Sequence, residues 1–206
     1  MLKIWGRTTS SNVQKVLWCC TELGLDYERI DAGLHFGVNK TPEYLAMNPN
    51  AVVPTIDDDG YILWESNVIV RYLTSRHGAG TLCPSDARER FLCERWMDWQ
   101  QTTGWPPVRT VFQGLIRTPP EKRDDKAIEA ARNEGFRVLK ILDDHLARRD
   151  FVETGAFTMG DIPNGPCIYR WFALDHSRDD LPNLARYYDR LAERPGFREH
   201  VMLPLE

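Results

Sequence analysis

Two dipeptides that flank a single turn could together bind a small peptide. Val53-Pro54 opens one short β-branched run, and Glu65-Ser66 closes a second run beyond an Asp-Gly turn. X-Pro is the one bond at which a cis peptide is readily accessible, and a cis bond here would leave the Val53 N–H and C=O free for a ligand backbone. Ser66, with the N–H groups of a helix start, suits a carboxylate, and Glu65 suits an ammonium group. The pattern favours a site for a peptide with a free amino-acid end.

A β-hairpin and a helix are predicted to position these residues. The runs at 52–56 and 61–64 lie on either side of the turn Asp57–Gly60, and an Asp-Gly pair between such runs is typical of a hairpin. A proline cannot donate to a central strand, so Pro54 fits a strand start. Ser66 is predicted to cap the next helix, in which apolar residues recur at helical spacing from Ile69.

The residues before this hairpin alternate between strand and helix patterns. Residues 2–5 are predicted to form a strand, followed by a polar loop at 6–12 and a helix that ends at Gly24. A second strand is predicted near Tyr27–Ala32, and Thr41-Pro42 has the cap and first-turn proline of a short helix. The predicted order is β-α-β-α-β-β-α, complete by about residue 78.

Only helix patterns follow the small-residue segment 79–84. Helices are predicted from Ser85 and from Thr118-Pro119, the latter with a cap and a first-turn proline. Thr158 and Asp161 have the spacing of a capping box at the start of a buried helix. The first of these helices has one apolar stripe at Leu92, Trp96 and Trp99, and a closing helix has another at Leu184, Tyr187, Tyr188 and Leu191 before Arg194-Pro195-Gly196-Phe197.

Composition excludes several classes of protein. The 206-residue chain has a net charge of −4 and no long basic run, so nucleic acid and anionic membranes are not expected as partners. No apolar stretch is long enough to cross a bilayer and no N-terminal signal is visible, so a cytoplasmic protein is expected. The five cysteines form no C-x-x-C pair, and neither a disulfide framework nor a metal site is expected.

The hairpin motif resembles one known family. Val-Pro, a hairpin and Glu-Ser opening a helix are similar to the glutathione-binding half of the cytosolic glutathione transferases. A helical second half with an inner capping box and an Arg-Pro-x-Phe ending extends the resemblance over the whole chain. It implies an α/β thioredoxin-like N-terminal domain at residues 1–78, a linker at 79–84 and an all-α C-terminal domain at 85–206. It also implies a homodimer.

In this family the loop after the first strand contacts the sulfur of glutathione. The available donors are Ser10, Ser11 and Asn12, because the loop contains no tyrosine and no cysteine. Alignment with the bacterial nu-like class, or with the serine-type classes, selects Ser10, and the nu-like pattern adds Asn12; Ser11 is the alternative if the alignment slips by one residue. Any of the three could instead cap the helix. As catalytic residues they would stabilise the thiolate, which is the nucleophile.

The resemblance also assigns the rest of the site. Val53 and Pro54 would align the tripeptide backbone, and Glu65 and Ser66 would hold its γ-glutamyl end. Two polar residues of the loop after the second strand, His35 and Lys40, are candidates for the glycyl carboxylate. An apolar pocket for the second substrate is predicted along the end of the Trp96–Trp99 helix, with Trp105, Arg109 and Phe112.

The function implied is glutathione S-transferase activity on an apolar electrophile, with glutathione as co-substrate and no metal. A glutathione-dependent disulfide reductase or peroxidase of the nu-like type is the first alternative. A non-catalytic ligand carrier or assembly module with the same fold is the second, and the thiolate donors argue against it. A protein with its own redox cysteines is disfavoured because the loop lacks cysteine.

Overall fold

A four-stranded sheet with three helices forms the first half of the chain. The computed structural model describes residues 1–174 and 180–206. The strands have the spatial order β2-β1-β3-β4, in which β1 is parallel to β2 and antiparallel to β3. The predicted order of elements is confirmed. The strands are β1 (Leu2–Trp5), β2 (Tyr27–Ile30), β3 (Thr55–Asp58) and β4 (Tyr61–Trp64), and the helices are α1 (Ser11–Leu23), α2 (Pro42–Met47) and α3 (Ser66–His77).

The predicted hairpin joins β3 to β4 through a two-residue turn. Asp58 pairs with Tyr61, and the two residues between them, Asp59 and Gly60, have φ values of 52° and 91°. Positive φ at both central positions matches the twist of the flanking strands, which is why an Asp-Gly pair is favoured here. The Asp57 carboxylate accepts a hydrogen bond from the Gly60 N–H at 2.6 Å and fixes the turn.

α1 is enclosed on two sides. Its residues 13–20 are all buried, including the polar side chains of Gln14 and Lys15. α3 packs against it within the first half, and two helices of the second half pack on its other side. These helices approach the Trp18 ring at Gly165 and Gly196, where an added Cβ would lie 2.5 Å and 2.8 Å from ring atoms. Direct contact between the two halves therefore depends on glycine at both positions.

The second half is helical throughout its described residues. The helical half contains two π-helical turns. The first, Gln100–Gly104, joins α4 to α5, and the second, Gln113–Arg117, continues α5. Such turns are rare and are often found at functional sites. The division into residues 1–78, 79–84 and 85–206 stays a prediction. The helices are α4 (Ala87–Trp99), α5 (Trp105–Phe112), α6 (Asp125–His145), α7 (Asn164–Ala173), α8 (Pro182–Ala192) and α9 (Pro195–His200).

The helix predicted from Thr118-Pro119 begins at Asp125, so that prediction was wrong. Pro119 precedes another proline and has ψ of 143°, because a following proline disfavours the helical region. Asp124 caps α6 instead, accepting a hydrogen bond from the Ala127 N–H at 3.0 Å. The Thr118 hydroxyl donates to the Gln113 carbonyl at 3.0 Å and closes the second π turn.

Two other helix starts also differ from the prediction. α4 begins at Ala87 with Asp86 as its cap, rather than at Ser85, and Leu92 is 39% exposed instead of lying on the buried stripe. α3 is not capped by Ser66, which is its first helical residue. The N-cap residue is Glu65, with φ of 72° and no side-chain hydrogen bond to the helix.

The predicted capping box at Thr158 and Asp161 is present, although α7 begins three residues later. The Asp161 carboxylate accepts hydrogen bonds from the Thr158 N–H at 2.8 Å and the Val152 N–H at 2.9 Å. It also accepts from the hydroxyls of Thr158 at 3.2 Å and Tyr187 at 2.7 Å. One buried carboxylate thus ties together the turn before α7, the segment after α6 and α8.

Across residues 1–174 and 180–206, no helix combines the length and apolar character needed to span a bilayer. The five cysteines are free and buried.

Candidate active site

A cleft of about 420 Å³ lies where the two halves of the chain meet. One wall comes from the β1–α1 loop, from Gly33, Leu34 and Asn39 after β2, and from residues 51–53. The other wall comes from α5, the π turn that follows it, and α7. The residues that the sequence singles out fall unevenly on these walls.

The three residues predicted to donate a hydrogen bond to the glutathione sulfur all line the cleft at the N-terminus of α1. Ser10 is the N-cap residue, but its side chain makes no capping hydrogen bond, and only its carbonyl is used, accepting from the Gln14 N–H at 2.8 Å. Among the described residues, the side chains of Ser10, Ser11 and Asn12 have no hydrogen-bond partner. The capping alternative is therefore not realised, and the donors remain available to a ligand. Nearby N–H groups of α1 also favour an anion at this end.

Arg170 of α7 holds the loop that carries these donors. Its guanidinium donates to the Thr9 carbonyl at 3.0 Å, to the Gln14 side-chain oxygen at 2.9 Å and to the Pro166 carbonyl at 3.3 Å. Arg170 is 3% exposed, and burial lowers its pKa to about 10. A side chain of the helical half therefore fixes the backbone immediately before Ser10.

Val53 presents a free main-chain edge to the cleft. The Val53–Pro54 bond is cis. Within the described part of the chain, neither the N–H nor the C=O of Val53 is hydrogen-bonded. The neighbouring Val52 carbonyl is held by the Tyr44 hydroxyl at 2.6 Å and the Asn48 amide at 3.0 Å, which anchors the segment. Pro54 is buried behind Val53 and is not part of the cleft wall.

Glu65 and Ser66 lie at the start of α3, outside the set of residues that line the cleft. Glu65 is exposed, and its positive φ is a conformation that costs a residue with a side chain roughly 1–3 kcal/mol. Ser66 is 4% exposed, and its hydroxyl accepts a hydrogen bond from Lys15 Nζ at 3.4 Å. Lys15 also donates to the Asn67 side-chain oxygen at 3.1 Å, and burial lowers the pKa of Lys15 to about 8.

His35 and Lys40 are exposed and do not line the cleft. Their neighbour Asn39 does line the cleft, although no sequence pattern pointed to it. Asn39 donates from its amide nitrogen to the Ala51 carbonyl at 2.5 Å, and its side-chain oxygen is buried without a partner among the described residues. An acceptor in that position is available to an N–H of a bound ligand.

Trp105, Arg109 and Phe112 form part of the wall contributed by the helical half. Trp96 does not; it is buried and donates from Nε1 to Glu153 at 3.0 Å. Besides Asn39 and Thr9, four further residues with side-chain donors line the cleft that were not predicted from the sequence. They are Arg7, Gln113, Arg117 and Arg170.

No cluster of His, Cys, Asp or Glu suited to a metal ion occurs among residues 1–174 and 180–206.

A mixed four-stranded sheet followed by a helical half is the fold of the glutathione transferases, and the cleft lies where the two halves meet. A family model described as "Glutathione S-transferase, N-terminal domain" matches residues 1–75. A second, described as "Glutathione S-transferase, C-terminal domain", matches residues 125–190. The chain belongs to the glutathione S-transferase family, and the predicted family, fold and transferase activity are confirmed.

Individual relatives support the assignment over the full length. The chain is 44% identical to "Glutathione S-transferase GstB" of Escherichia coli K12, with 100% of both chains covered. It is 30% identical to "Glutathione S-transferase 3" of Zea mays, over 97% of this chain and 93% of that protein. A theta class glutathione S-transferase from Xanthomonas axonopodis pv. citri, solved with glutathione bound, superposes with a TM-score of 0.95 at 45% identity and covers 100% of this chain and 99% of that one.

Proposed function

We propose that glutathione binds in the 420 Å³ cleft with its sulfur at the N-terminus of α1, and that the chain transfers it to an electrophile. The observation that carries this proposal is that three side-chain donors without a partner among the described residues, Ser10, Ser11 and Asn12, line the same cleft as the free main-chain edge of Val53. The donors suit a thiolate, and the edge suits the backbone of a tripeptide.

Ser10 and Asn12 are proposed to make glutathione nucleophilic. A free thiol has a pKa near 8.5, and lowering it by two units requires about 2.7 kcal/mol. One or two hydrogen bonds to a charged acceptor supply about 1.5–3 kcal/mol each, and the dipole of α1 adds to them. The thiol proton leaves to solvent, the sulfur forms a bond to the electrophilic carbon, and the leaving group departs with its electron pair.

The remaining peptide contacts are proposals of the same kind. The Ser66 hydroxyl and the N–H groups at the start of α3 would donate hydrogen bonds to the γ-glutamyl carboxylate, and Glu65 would pair with the ammonium group of the same residue. His35 or Lys40 would pair with the glycyl carboxylate after a change of side-chain rotamer, since both are exposed beside the cleft. The buried oxygen of Asn39 offers an acceptor for a peptide N–H.

The pKa of the bound glutathione thiol should be measurable from the ultraviolet absorbance of its thiolate. In the native protein, thiolate absorbance should develop well below pH 8.5. Replacement of Ser10 or Asn12 by alanine should raise that pKa by roughly one unit, since one unit corresponds to about 1.4 kcal/mol. Ser11→Ala tests the shifted alignment, and Thr8→Ala, in the same loop but not on the cleft wall, is the matched control. A bound thiol that titrates like a free one would refute the proposal.

Turnover with an aryl halide, a peroxide and a small disulfide separates conjugation from reduction. Conjugation is expected with the halide. Activity confined to the disulfide or peroxide would instead favour the reductase, which needs the same thiolate donors.

We also propose a homodimer, on the basis of the apolar side chains that the single chain leaves exposed. Trp96 and Phe112 are buried within the single chain and cannot form an interface. Exposed apolar side chains on β4, α3 and α4 support pairing with a second copy: Trp64 at 37%, Val68 at 41%, Leu92 at 39% and Phe91 at 66%. Light scattering at micromolar concentration should give twice the 23.9 kDa chain mass, and Phe91→Glu should weaken the pair. A chain mass that persists at high concentration would exclude the dimer.

A cytoplasmic location is proposed as well. Five free, buried thiols are typical of a reducing compartment. Fractionation of the source cells tests it.

A further inference from the structure

The cleft carries an unusual concentration of positive charge. Among residues 1–174 and 180–206, four guanidinium groups line it, from Arg7, Arg109, Arg117 and Arg170, and no aspartate or glutamate side chain does. The whole chain has a net charge of −4, so the cleft is cationic on an acidic protein. Like charges that face one cavity repel each other, and a structure tolerates them where an anion is to be bound.

Most of these charges lack an acidic partner. Among the described residues, none of the four guanidinium groups forms a salt bridge with a carboxylate side chain. Arg7 Nε is buried with no hydrogen-bond partner in that part of the chain. Arg117 donates to the main-chain oxygen of Glu206 at 3.0 Å, and the donors of Arg170 are used by Thr9, Gln14 and Pro166.

The arginines also lower one another's proton affinity. Burial lowers the pKa of Arg7 and Arg117 lowers it further, while Glu206 opposes the shift. Burial also lowers the pKa of Arg117, with Glu206 opposing the shift and Arg109 adding to it. The groups therefore lie close enough to act on one ligand together.

Glutathione does not account for this charge. Its proposed contacts are all in the first half of the chain, at Ser10 to Asn12 and Val53 on the cleft wall and at the start of α3 outside it. Three of the four arginines instead belong to the helical half, beside the two aromatic rings of the second-substrate wall. The Arg117 guanidinium lies 4.9 Å from the centre of the Phe112 ring, and Arg170 lies 5.4 Å from the same ring. The second-substrate side of the cleft thus combines flat apolar surfaces with cations.

We propose that the second substrate is an anionic electrophile, in which a carboxylate is attached to a small planar or apolar body that carries the reactive carbon. The carboxylate pairs with Arg109 and Arg117, and the body packs against Trp105 and Phe112. This inference rests on the proposed function of the same site and replaces the purely apolar electrophile expected from the sequence.

The charge has a direct role in the reaction. A thiolate and an anionic electrophile repel each other in solution, which slows their encounter and their approach to bonding distance. Cations fixed in a cavity of low dielectric offset this repulsion and raise the local concentration of the anion. With a chloroaryl carboxylate the C–S bond forms, the C–Cl bond breaks, and chloride leaves with the bonding pair; the carboxylate itself is unchanged.

A matched pair of substrates tests the proposal. We would compare 4-chloro-3-nitrobenzoate with 4-chloro-3-nitrobenzamide, which has nearly the same shape and no charge. We would take the ratio of kcat/KM for the acid to kcat/KM for the amide and divide it by the same ratio for the uncatalysed reactions. This normalised ratio should be greater than about 10, as expected for one charge-assisted contact. Arg109→Gln and Arg117→Gln should each reduce that ratio about tenfold, and high salt should reduce it in the native enzyme. Arg137→Gln, which removes an arginine paired with Glu134 on the exposed face of α6, should leave the ratio unchanged.

Binding of unreactive analogues gives a second measurement that does not need turnover. 3-Nitrobenzoate should quench tryptophan fluorescence at roughly tenfold lower concentration than 3-nitrobenzamide, and Arg117→Gln should remove the difference. Equal affinity for acid and amide, or preferential turnover of the amide, would overturn the proposal while leaving glutathione transfer intact. Loss of the proposed function itself would appear separately, as a bound glutathione thiol with the pKa of the free thiol.

Discussion

Lys15 and Asp161 are buried ionisable groups in opposite halves of the chain, and their surroundings differ sharply. Asp161 accepts hydrogen bonds from the N–H groups of Thr158 and Val152 and from two hydroxyls. Lys15 is 3% exposed and, in the described part of the chain, donates only to two neutral oxygens, at 3.4 Å and 3.1 Å. A buried charge is normally paired or fully hydrogen-bonded, and Lys15 is an exception.

The difference separates a charge that stabilises the fold from one that positions a site. Each donor to Asp161 would lack a partner without it, so the carboxylate contributes to folding although burial raises its pKa to about 6. Lys15 contacts Ser66, the residue proposed to accept the γ-glutamyl carboxylate, and burial lowers its pKa to about 8. We infer that the first charge supports stability and that the second reduces stability in favour of ligand binding.

Removing the Asp161 carboxylate should have the largest effect. Asp161→Ala should lower the free energy of unfolding by about 3–5 kcal/mol, because several buried donors lose a charged acceptor at once. Urea denaturation measures the change. Asp150→Ala, at the 55% exposed side chain that pairs with Arg190, is the control and should cost no more than about 0.5 kcal/mol. A loss below about 1 kcal/mol for Asp161→Ala would remove the contrast between the two charges.

Removing a single donor to Asp161 should cost less. Tyr187→Phe keeps the buried ring and deletes the hydroxyl that donates to the carboxylate at 2.7 Å. A hydrogen bond to a charged group contributes about 1.5–3 kcal/mol, and the Val152 N–H still serves the same oxygen, so the lower end of that range is expected. Chemical denaturation at pH 7 gives the value, and an unchanged midpoint would mean that the hydroxyl is redundant.

Replacing Lys15 should raise the free energy of unfolding rather than lower it. A pKa lowered from 10.5 to about 8 corresponds to roughly 3 kcal/mol for burying the charge. Lys15→Met removes that penalty but leaves the Asn67 oxygen without a donor, at a cost of about 1–3 kcal/mol. The variant should therefore be about 1–2 kcal/mol more stable than the native chain at pH 7, and calorimetry should show weaker glutathione binding.

Lys126→Met, at an exposed position on α6, is the control and should be neutral within about 0.5 kcal/mol. A Lys15→Met variant that is both less stable and unchanged in glutathione affinity would reverse the interpretation of Lys15.

The difference in stability between the native chain and Lys15→Met should also depend on pH. The folded pKa of Lys15 lies below the unfolded value, so the unfolded chain binds the proton more tightly. Below pH 8 the lysine is protonated in both states and its penalty is complete. Between about pH 8 and 10.5 the native chain gains stability relative to Lys15→Met as pH rises. The roughly 3 kcal/mol penalty released over that range exceeds the difference of about 1–2 kcal/mol at pH 7, so the difference in stability between the two chains should fall to zero and then change sign. A difference that stays constant with pH would mean that Lys15 does not titrate in this range.

Local sequence signals were sufficient for much of the fold. The Asp-Gly turn, the proline before β3 and the glycine after α1 each act within a few residues, and each appears where it was predicted. The starts of α3 and α6 were missed because the backbone leaves the helical region at Glu65 and at Pro119, which was not predicted. The backbone of Glu65 turns into the positive-φ region, and the Arg123 side chain binds the carbonyls of Leu115 and Thr118 where a helix was expected.

The site was predictable only where it is continuous in sequence. Ser10 to Asn12 and Val53 were found because a loop and a hairpin carry them. Arg7, Arg117 and Arg170 come from three distant segments, and only the folded chain brings them to one cavity. Lys15 was missed because a lysine on an amphipathic helix is normally exposed, whereas α1 is covered on both sides.

The contact of α7 and α9 with Trp18 limits which helical halves can be joined to this N-terminal half in a chimera. Two glycines are required at this contact, and Arg170 reaches across it to the loop that bears the sulfur donors. An N-terminal half expressed alone would expose the Trp18 ring and lose the hydrogen bond that Arg170 makes to the loop before Ser10. A chimera with the helical half of a relative should keep a working thiol loop only if that half supplies both glycines and the arginine. The two halves are therefore expected to be inherited as one unit rather than exchanged as separate modules.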